Sequence, residues 1–336
     1  MSSMASSTPG SAMTEPQTNI GTDQGVVANS AAVAGTDPVL SNTTSRSQWW
    51  DVWDQFRTHK GAMFGALVFL LIVGLVVLGP LFWDLETGIK TNMRARNEGM
   101  SLAHPFGTDR LGRDMFARMI AGGQVSLAVG GAAMLLSLLL GTLIGVLAGY
   151  FRALDGPLMR FTDLFLALPL LPLLLVMVLL FREPLTAAFG IETGIFILIV
   201  AAIGITSWMQ TARIVRGDVL ALKEREFVLA ARSIGTPPRR VITRHVLPNV
   251  LSPIMVSATL GIATAIITES ALSFLGLGFP PDFPTWGRLL NDGVPFLELN
   301  PGLAFWPGIA ISLVVLSINY VGDGLRDALD PRIRGR

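Results

Sequence analysis

Cysteine does not occur among the 336 residues. That excludes a disulfide framework, a thiol nucleophile and a cysteine-ligated metal, and leaves the compartment open. Histidine is nearly as scarce: His59, His104 and His245 are the only three, too widely separated to read as a metal-ligand cluster. Charge is the third deficit. Asp, Glu, Lys and Arg make up 15% of the chain, against about 25% in a typical soluble domain. With a net charge of +1 there is no reason to propose nucleic acid as a partner. No glycine-rich phosphate loop ending in Lys-Ser or Lys-Thr is present, and Gly-Lys is absent as a dipeptide. ATP hydrolysis therefore belongs to another polypeptide, if it is used at all. No converging Ser/His/Asp set suggests a membrane-embedded enzyme.

What fills the chain is hydrocarbon: 51% of the residues are hydrophobic. Six segments are apolar over the roughly 20 residues that a helix needs to cross a bilayer. They run over residues 63–82, 126–150, 164–181, 193–211, 250–271 and 301–322, and the first, second and sixth carry no charge. In lipid every backbone N–H and C=O must be satisfied internally, so these segments are helices. The expected fold is an all-α polytopic membrane protein with six transmembrane helices. Residues 1–45 differ: rich in Ser, Thr, Ala, Gly and Asn, they lack the large apolar residues needed to offset ordering entropy and read as a disordered tail. No basic start precedes an apolar run there, so the tail is no signal peptide.

An even number of spans places both termini on one side. That side holds 17 Lys and Arg residues, 8 of them in the 212–248 loop, against 8 on the other side. The excess assigns both ends and the loop to the cytoplasm. Residues 84–124 run against this assignment, because their six basic residues then face outward.

Within the spans, Gly141, Gly145 and Gly149 recur on one face, which suits a close helix–helix contact better than a smooth pore lining. Pro169 and Pro172 should bend or break the third span. A broken helix serves a transport path or plain packing equally well. Glu269 lies inside an apolar run and costs on the order of 3 kcal/mol unless it faces water or a partner. Its two readings are a position on the translocation path or gate, and a buried polar contact that fixes packing. The second is favoured.

The 212–248 loop reads as two short helices. Good helix formers run from Leu222 to a natural stop at Gly235. Thr236 and Pro237 then look like an N-cap and first helical residue, with the second helix over 239–245 stopping near Pro248. Phe227, Ala230, Ala231 and Ile234 share a face of the first helix by their spacing. Arg225, Arg232, Arg239, Arg240 and Arg244 surround them. A basic amphipathic element can lie on anionic headgroups. This one has a narrow apolar face and a sharp glycine break, which suits a compact knob for a groove in a partner protein.

Glu226-Phe-Val-Leu-Ala230-Ala231-Arg-Ser-Ile-Gly235, followed by Pro248, resembles the cytoplasmic loop signature of binding-protein-dependent ATP-binding-cassette importer permeases. His104-Pro-Phe-Gly-Thr-Asp-Arg-Leu-Gly-Arg-Asp114, Ala271-Leu-Ser-Phe-Leu-Gly-Leu-Gly278 with Trp286-Gly287, and the ending Gly322-Asp-Gly-Leu-Arg-Asp-Ala-Leu-Asp-Pro-Arg332 resemble the dipeptide and oligopeptide branch. The resemblance implies a type I importer permease core of the MetI-like kind, with one added N-terminal helix. It divides the chain into the tail 1–45, a first helix and extracytoplasmic segment 46–124, a five-helix core 125–322 and a cytoplasmic tail 323–336. It implies a multi-pass protein of the cytoplasmic (inner) membrane and a coupling helix formed by Glu226, Phe227, Ala230, Ala231, Gly235, Arg239, Arg240 and Pro248. The implied partners are cytoplasmic ATPase subunits that carry ATP and Mg²⁺, a second homologous permease and an extracytoplasmic binding protein. No cofactor is implied for this chain. Peptides are the implied substrate, with nickel, glutathione or another solute as alternatives. A stand-alone secondary transporter would show ionisable residues in several spans, whereas Glu269 is nearly isolated and Asp163 sits at a span edge. For two motifs the bland reading is preferred: Thr108 and Asp109 cap the helix entering the second span, and Gly322 and Gly324 end the sixth.

Overall fold

A computed structural model describes residues 48–329; the expected tail 1–45 and residues 330–336 lie outside that range. The described residues are helical, with no strand pairing beyond an isolated bridge between Thr108 and Asp114. A short amphipathic helix α1 (Gln48–Thr58) turns at His59, whose Nδ1 accepts the Ala62 N–H at 3.0 Å and caps α2 (Lys60–Phe82). A knob with two 3₁₀ turns leads to α3 (Met115–Tyr150), and α4 (Arg152–Ala167) and α5 (Leu170–Phe189) follow. Then come α6 (Ile191–Leu222), α7 (Glu226–Ser233), α8 (Pro238–Val241), a π turn (Ile242–Val246), α9 (Leu247–Phe274), α10 (Trp286–Gly293) and α11 (Gly302–Leu329).

Among the described residues, six runs are long and apolar enough to cross a membrane: α2, α3, α5, α6, the continuous stretch Pro238–Phe274, and α11. Several overshoot. The 36 residues of α3 make a rod of about 54 Å at 1.5 Å per residue, well beyond the ~30 Å hydrocarbon layer. At the centre α3 and α6 run in the same direction along a seam of small residues. A Cβ on Gly141 would lie 2.7 Å from the Trp208 carbonyl oxygen, one on Gly145 2.6 Å from that of Ala212, and one on Gly149 2.7 Å from the Val219 Cβ. The glycine face is thus a backbone-to-backbone contact, the form of helix association available where lipid removes the hydrophobic drive. α9 packs against α3, with Ile266 on Gly130, and α11 packs on α2 and α9.

Several local expectations are corrected. The third span is α5, displaced from residues 164–181, because Leu168 and Pro169 adopt extended backbone and separate it from α4. Pro169 lacks an N–H to donate and disfavours helix at the residue before it, so the break falls there. Pro172 sits in the first turn of α5, where the N–H has no helical partner to lose. The helix after the basic loop does not stop near Pro248. It runs on to Phe274, and the π turn just before Pro248 absorbs the interrupted hydrogen-bond ladder, with the Asn249 side-chain amide donating to the His245 carbonyl at 2.7 Å. Gly322 and Gly324 do not end α11, which continues to Leu329. They are contact points instead, Gly322 beside Thr259 and Leu260, Gly324 beside Ala62 and Phe56.

The N-cap of α3 is Asp114, not Thr108 or Asp109. Asp114 Oδ2 accepts the Ala117 N–H at 3.0 Å and the Trp83 indole N–H at 2.7 Å. Thr108 and Asp109 instead stitch together the segment between α2 and α3. Asp109 Oδ2 accepts from Arg113 Nε at 2.7 Å and from an Arg118 guanidinium nitrogen at 2.8 Å. Three of the six basic residues that run against the charge rule are thereby paired: Arg113 and Arg118 with Asp109, and Lys90 with Glu86.

A candidate docking knob on the basic loop

The first eleven residues of the expected loop are simply the end of α6, which carries Val215 and Val219 to its last turns. The chain turns at Lys223–Arg225 into α7, whose short amphipathic run closes at Gly235. There the Thr236 N–H donates to the Ala231 carbonyl at 3.1 Å and the Gly235 N–H to that of Arg232 at 3.0 Å. This paired closure needs a left-handed residue at Gly235, and its φ is +80°. Helix α8 then starts one residue later than expected, with Pro237 as N-cap and Pro238 as first residue.

Val228 and Ala231 are both buried on α7, and Val228 joins Val146, Val215, Val219, Val241, Val246 and Val250 in a buried cluster. Ala231 therefore belongs to the inner face, not to the face of Phe227, Ala230 and Ile234. Two further contacts tie the knob to the end of α3: the Arg232 guanidinium lies 5.7 Å from the Tyr150 ring centroid, and Lys223 Nζ donates to the Gly149 carbonyl at 3.1 Å. Sequence spacing alone does not reveal these contacts, because Tyr150 and Arg232 are remote along the chain.

The outer face is what a partner would meet. Phe227 is 46% exposed and Ile234 83% exposed, with Ala230 open between them. Glu226, Arg239, Arg240 and Arg244 are exposed, and none of them makes an ion pair among the described residues. Pro248 is exposed as well, beyond the π turn. The knob is thus an apolar tip ringed by charge, seated through valines on the ends of α3, α6 and α9. That seating couples α7 mechanically to the ends of three spanning helices through direct packing. Just above it, Arg216 grips Asp155 through two nitrogens at 2.5 and 2.8 Å, and the Arg213–Asp163 pair adds a second tie between α4 and α6. The Arg216 hydrogen bond holds the Asp155 carboxyl below its ordinary pKa.

The remaining candidates lie elsewhere and do not meet the knob. Pro169 and Pro172 are exposed at the α4–α5 break. Glu269 is fully buried between α3, α9 and α10. Its Oε2 accepts from the Ser126 hydroxyl at 2.9 Å and its Oε1 from Ser273 at 2.7 Å, while Ser126 accepts the Trp286 N–H at 3.2 Å. The carboxyl is the centre of a hydroxyl-lined joint holding three helices together.

Two families match by sequence. One, described as binding-protein-dependent transport system inner membrane component, matches residues 137–335; the other, the N-terminal TM domain of oligopeptide transport permease C, matches residues 47–103. The oligopeptide transport system permease protein OppC of Bacillus subtilis (strain 168) is 40% identical over 90% of this chain and 96% of its own length. The glutathione transport system permease protein GsiD of Escherichia coli O157:H7 is 38% identical over 90% of this chain and 97% of its own. Among solved structures, an inward-facing conformation of the MetNI methionine ABC transporter aligns with a TM-score of 0.49 at 18% identity, covering 62% of this chain and 95% of that one.

Proposed function

The chain belongs to the family of binding-protein-dependent transport system inner membrane components, and from that premise we propose that it is the membrane-spanning subunit of an ATP-driven importer of di- and oligopeptides. The observation that carries the mechanism is the seating of α7: an exposed apolar tip at Phe227 and Ile234, mounted on a closed valine cluster at the ends of α3, α6 and α9. A separate ATPase binds ATP and Mg²⁺. Its closure moves the knob, and the rigid α3–α6 seam carries the movement into the bundle, so that the path opens alternately to either side. A second, homologous permease completes the path, and an extracytoplasmic binding protein delivers the peptide. Both termini and the knob lie in the cytoplasm.

The likeness to a glutathione permease favours a second reading within the same class, in which the cargo is glutathione. Both are separated by one experiment. The chain is reconstituted into proteoliposomes with its co-expressed permease, ATPase and binding-protein partners, and uptake of labelled di- and tripeptides is measured with ATP and Mg²⁺ inside the compartment facing the ATPase. Uptake that needs ATP and is suppressed by unlabelled peptide supports the peptide reading. Suppression by glutathione alone shifts the cargo, and uptake by the chain without any ATPase overturns the importer.

A further inference from the structure

Helix α2 does not close against the core along its whole length. It packs tightly on α11, where a Cβ on Gly65 would lie 2.8 Å from the Ser317 carbonyl oxygen. It touches α3 at one crossing, where Gly79 meets Ile120 and Val76 meets Gly123. Around that crossing the helices splay. A cleft of about 230 Å³ opens between α2, α3 and α11, with Met119, Ile120, Trp306, Ala310 and Leu313 among its walls. A second cleft of about 430 Å³ runs past Gly74 and Leu78, and Leu75, Phe116 and Ile120 line both. Aromatic rings crowd one end of the first: Phe106 stacks on Trp306 at 4.2 Å and meets the edge of Phe116 at 5.0 Å.

No charged side chain lines either cleft. Clefts with such walls offer a water molecule few polar partners, and left empty they forfeit the dispersion contacts of their walls. The source of an apolar ligand is set by where the clefts open. Leu67, Leu70, Leu71, Leu78 and Leu81 are each more than half exposed around α2, so bilayer hydrocarbon bathes most of this helix and is continuous with the edges of both clefts. We infer that the wedge between α2 and α3 is a binding site for one acyl chain of a bilayer phospholipid, selected by shape and apolar lining, which completes the attachment of the first span to the core.

The test uses the full-length chain purified with its partner subunits in nanodiscs that contain phosphatidylglycerol with a diazirine on one acyl chain. After irradiation, lipid adducts are mapped by mass spectrometry. Adducts on Met119, Ile120 and Ala310 should exceed those on the outward residues Leu67 and Leu81 at least fivefold. Ala310→Phe, which fills the cleft, should remove that excess and leave the outward adducts unchanged. Gly74→Leu, placed where a Cβ meets no other atom within 4 Å, repeats the filling from the other side if the first variant folds poorly. Adducts spread evenly over α2 and unaffected by filling would mean ordinary surrounding lipid and would overturn the site. Adducts in the isolated chain that vanish in the complex would overturn it too, by showing that a protein partner fills the wedge.

Discussion

Gly235 is the residue on which the knob turns. No atom crowds a Cβ at this position, so a substitution acts through backbone conformation alone. A left-handed residue with a side chain costs roughly 1–2 kcal/mol, a factor of about 5–30 in the population of the closed shape. Gly235→Val should therefore insert normally in the membrane but retain the ATPase subunits 5- to 30-fold more weakly in a detergent pull-down. Wild-type retention would count against the knob as the docking element. Asp155 answers to pH instead. Because Arg216 depresses its folded pKa, the stabilisation is complete above the ordinary carboxylate pKa of about 3.9 and is lost as pH falls through the lower folded value. Asp155→Asn should cost about 1 kcal/mol, the scale of a partly exposed pair. The difference in Tm from wild type should stay flat from pH 8 to 5 and close below about pH 4, as read by thermal unfolding in detergent.

At the scale of elements, the proposed mechanism depends on the seam of α3 and α6 to carry motion of the knob into the bundle. With the Ala212 carbonyl 2.6 Å from the Cβ position of Gly145, no larger side chain fits without moving one helix. Overpacking of this kind costs about 1–3 kcal/mol or more. Gly145→Leu should lower the thermal stability of the purified chain and its yield, while Gly131→Leu, on the same helix with open space around it, should leave both near wild type. Equal behaviour of the two variants in a thermal aggregation assay would show that the seam tolerates separation. The break at Leu168–Pro169 and the π turn before Pro248 are interruptions of regular helix that both trace to a proline that cannot donate a backbone bond.

The whole molecule has a sidedness that its charge distribution implies. The absence of cysteine makes it directly measurable, since any introduced thiol is the only one. A cysteine replacing Ile234, 83% exposed on the knob, should react with a membrane-impermeant maleimide only after the cells are opened. One replacing Leu102, fully exposed on the segment before α3, should react in intact cells. The reverse pattern would place the knob outside and remove the ATPase from its reach. Three of the six basic residues of segment 84–124 are held in ion pairs, two of them with the single carboxylate of Asp109. The segment is a folded unit and not a loose loop.

Much of this protein is local in origin and so was open to a reading of residues alone. Apolar length determines the spans, glycine spacing determines the α3–α6 seam, and the left-handed demand at Gly235 determines where α7 stops. The tertiary structure decided what depends on partners remote along the chain. It buried Ala231 together with Val228 while leaving Phe227 and Ile234 out, because the valines of α3, α6 and α9 meet α7 on the Val228 side alone. It gave Glu269 the hydroxyls of Ser126 and Ser273, and it gave the capping of α3 to Asp114 while Asp109 took two arginines. Periodicity says which residues share a face, but which face is covered depends on what the rest of the chain brings against it.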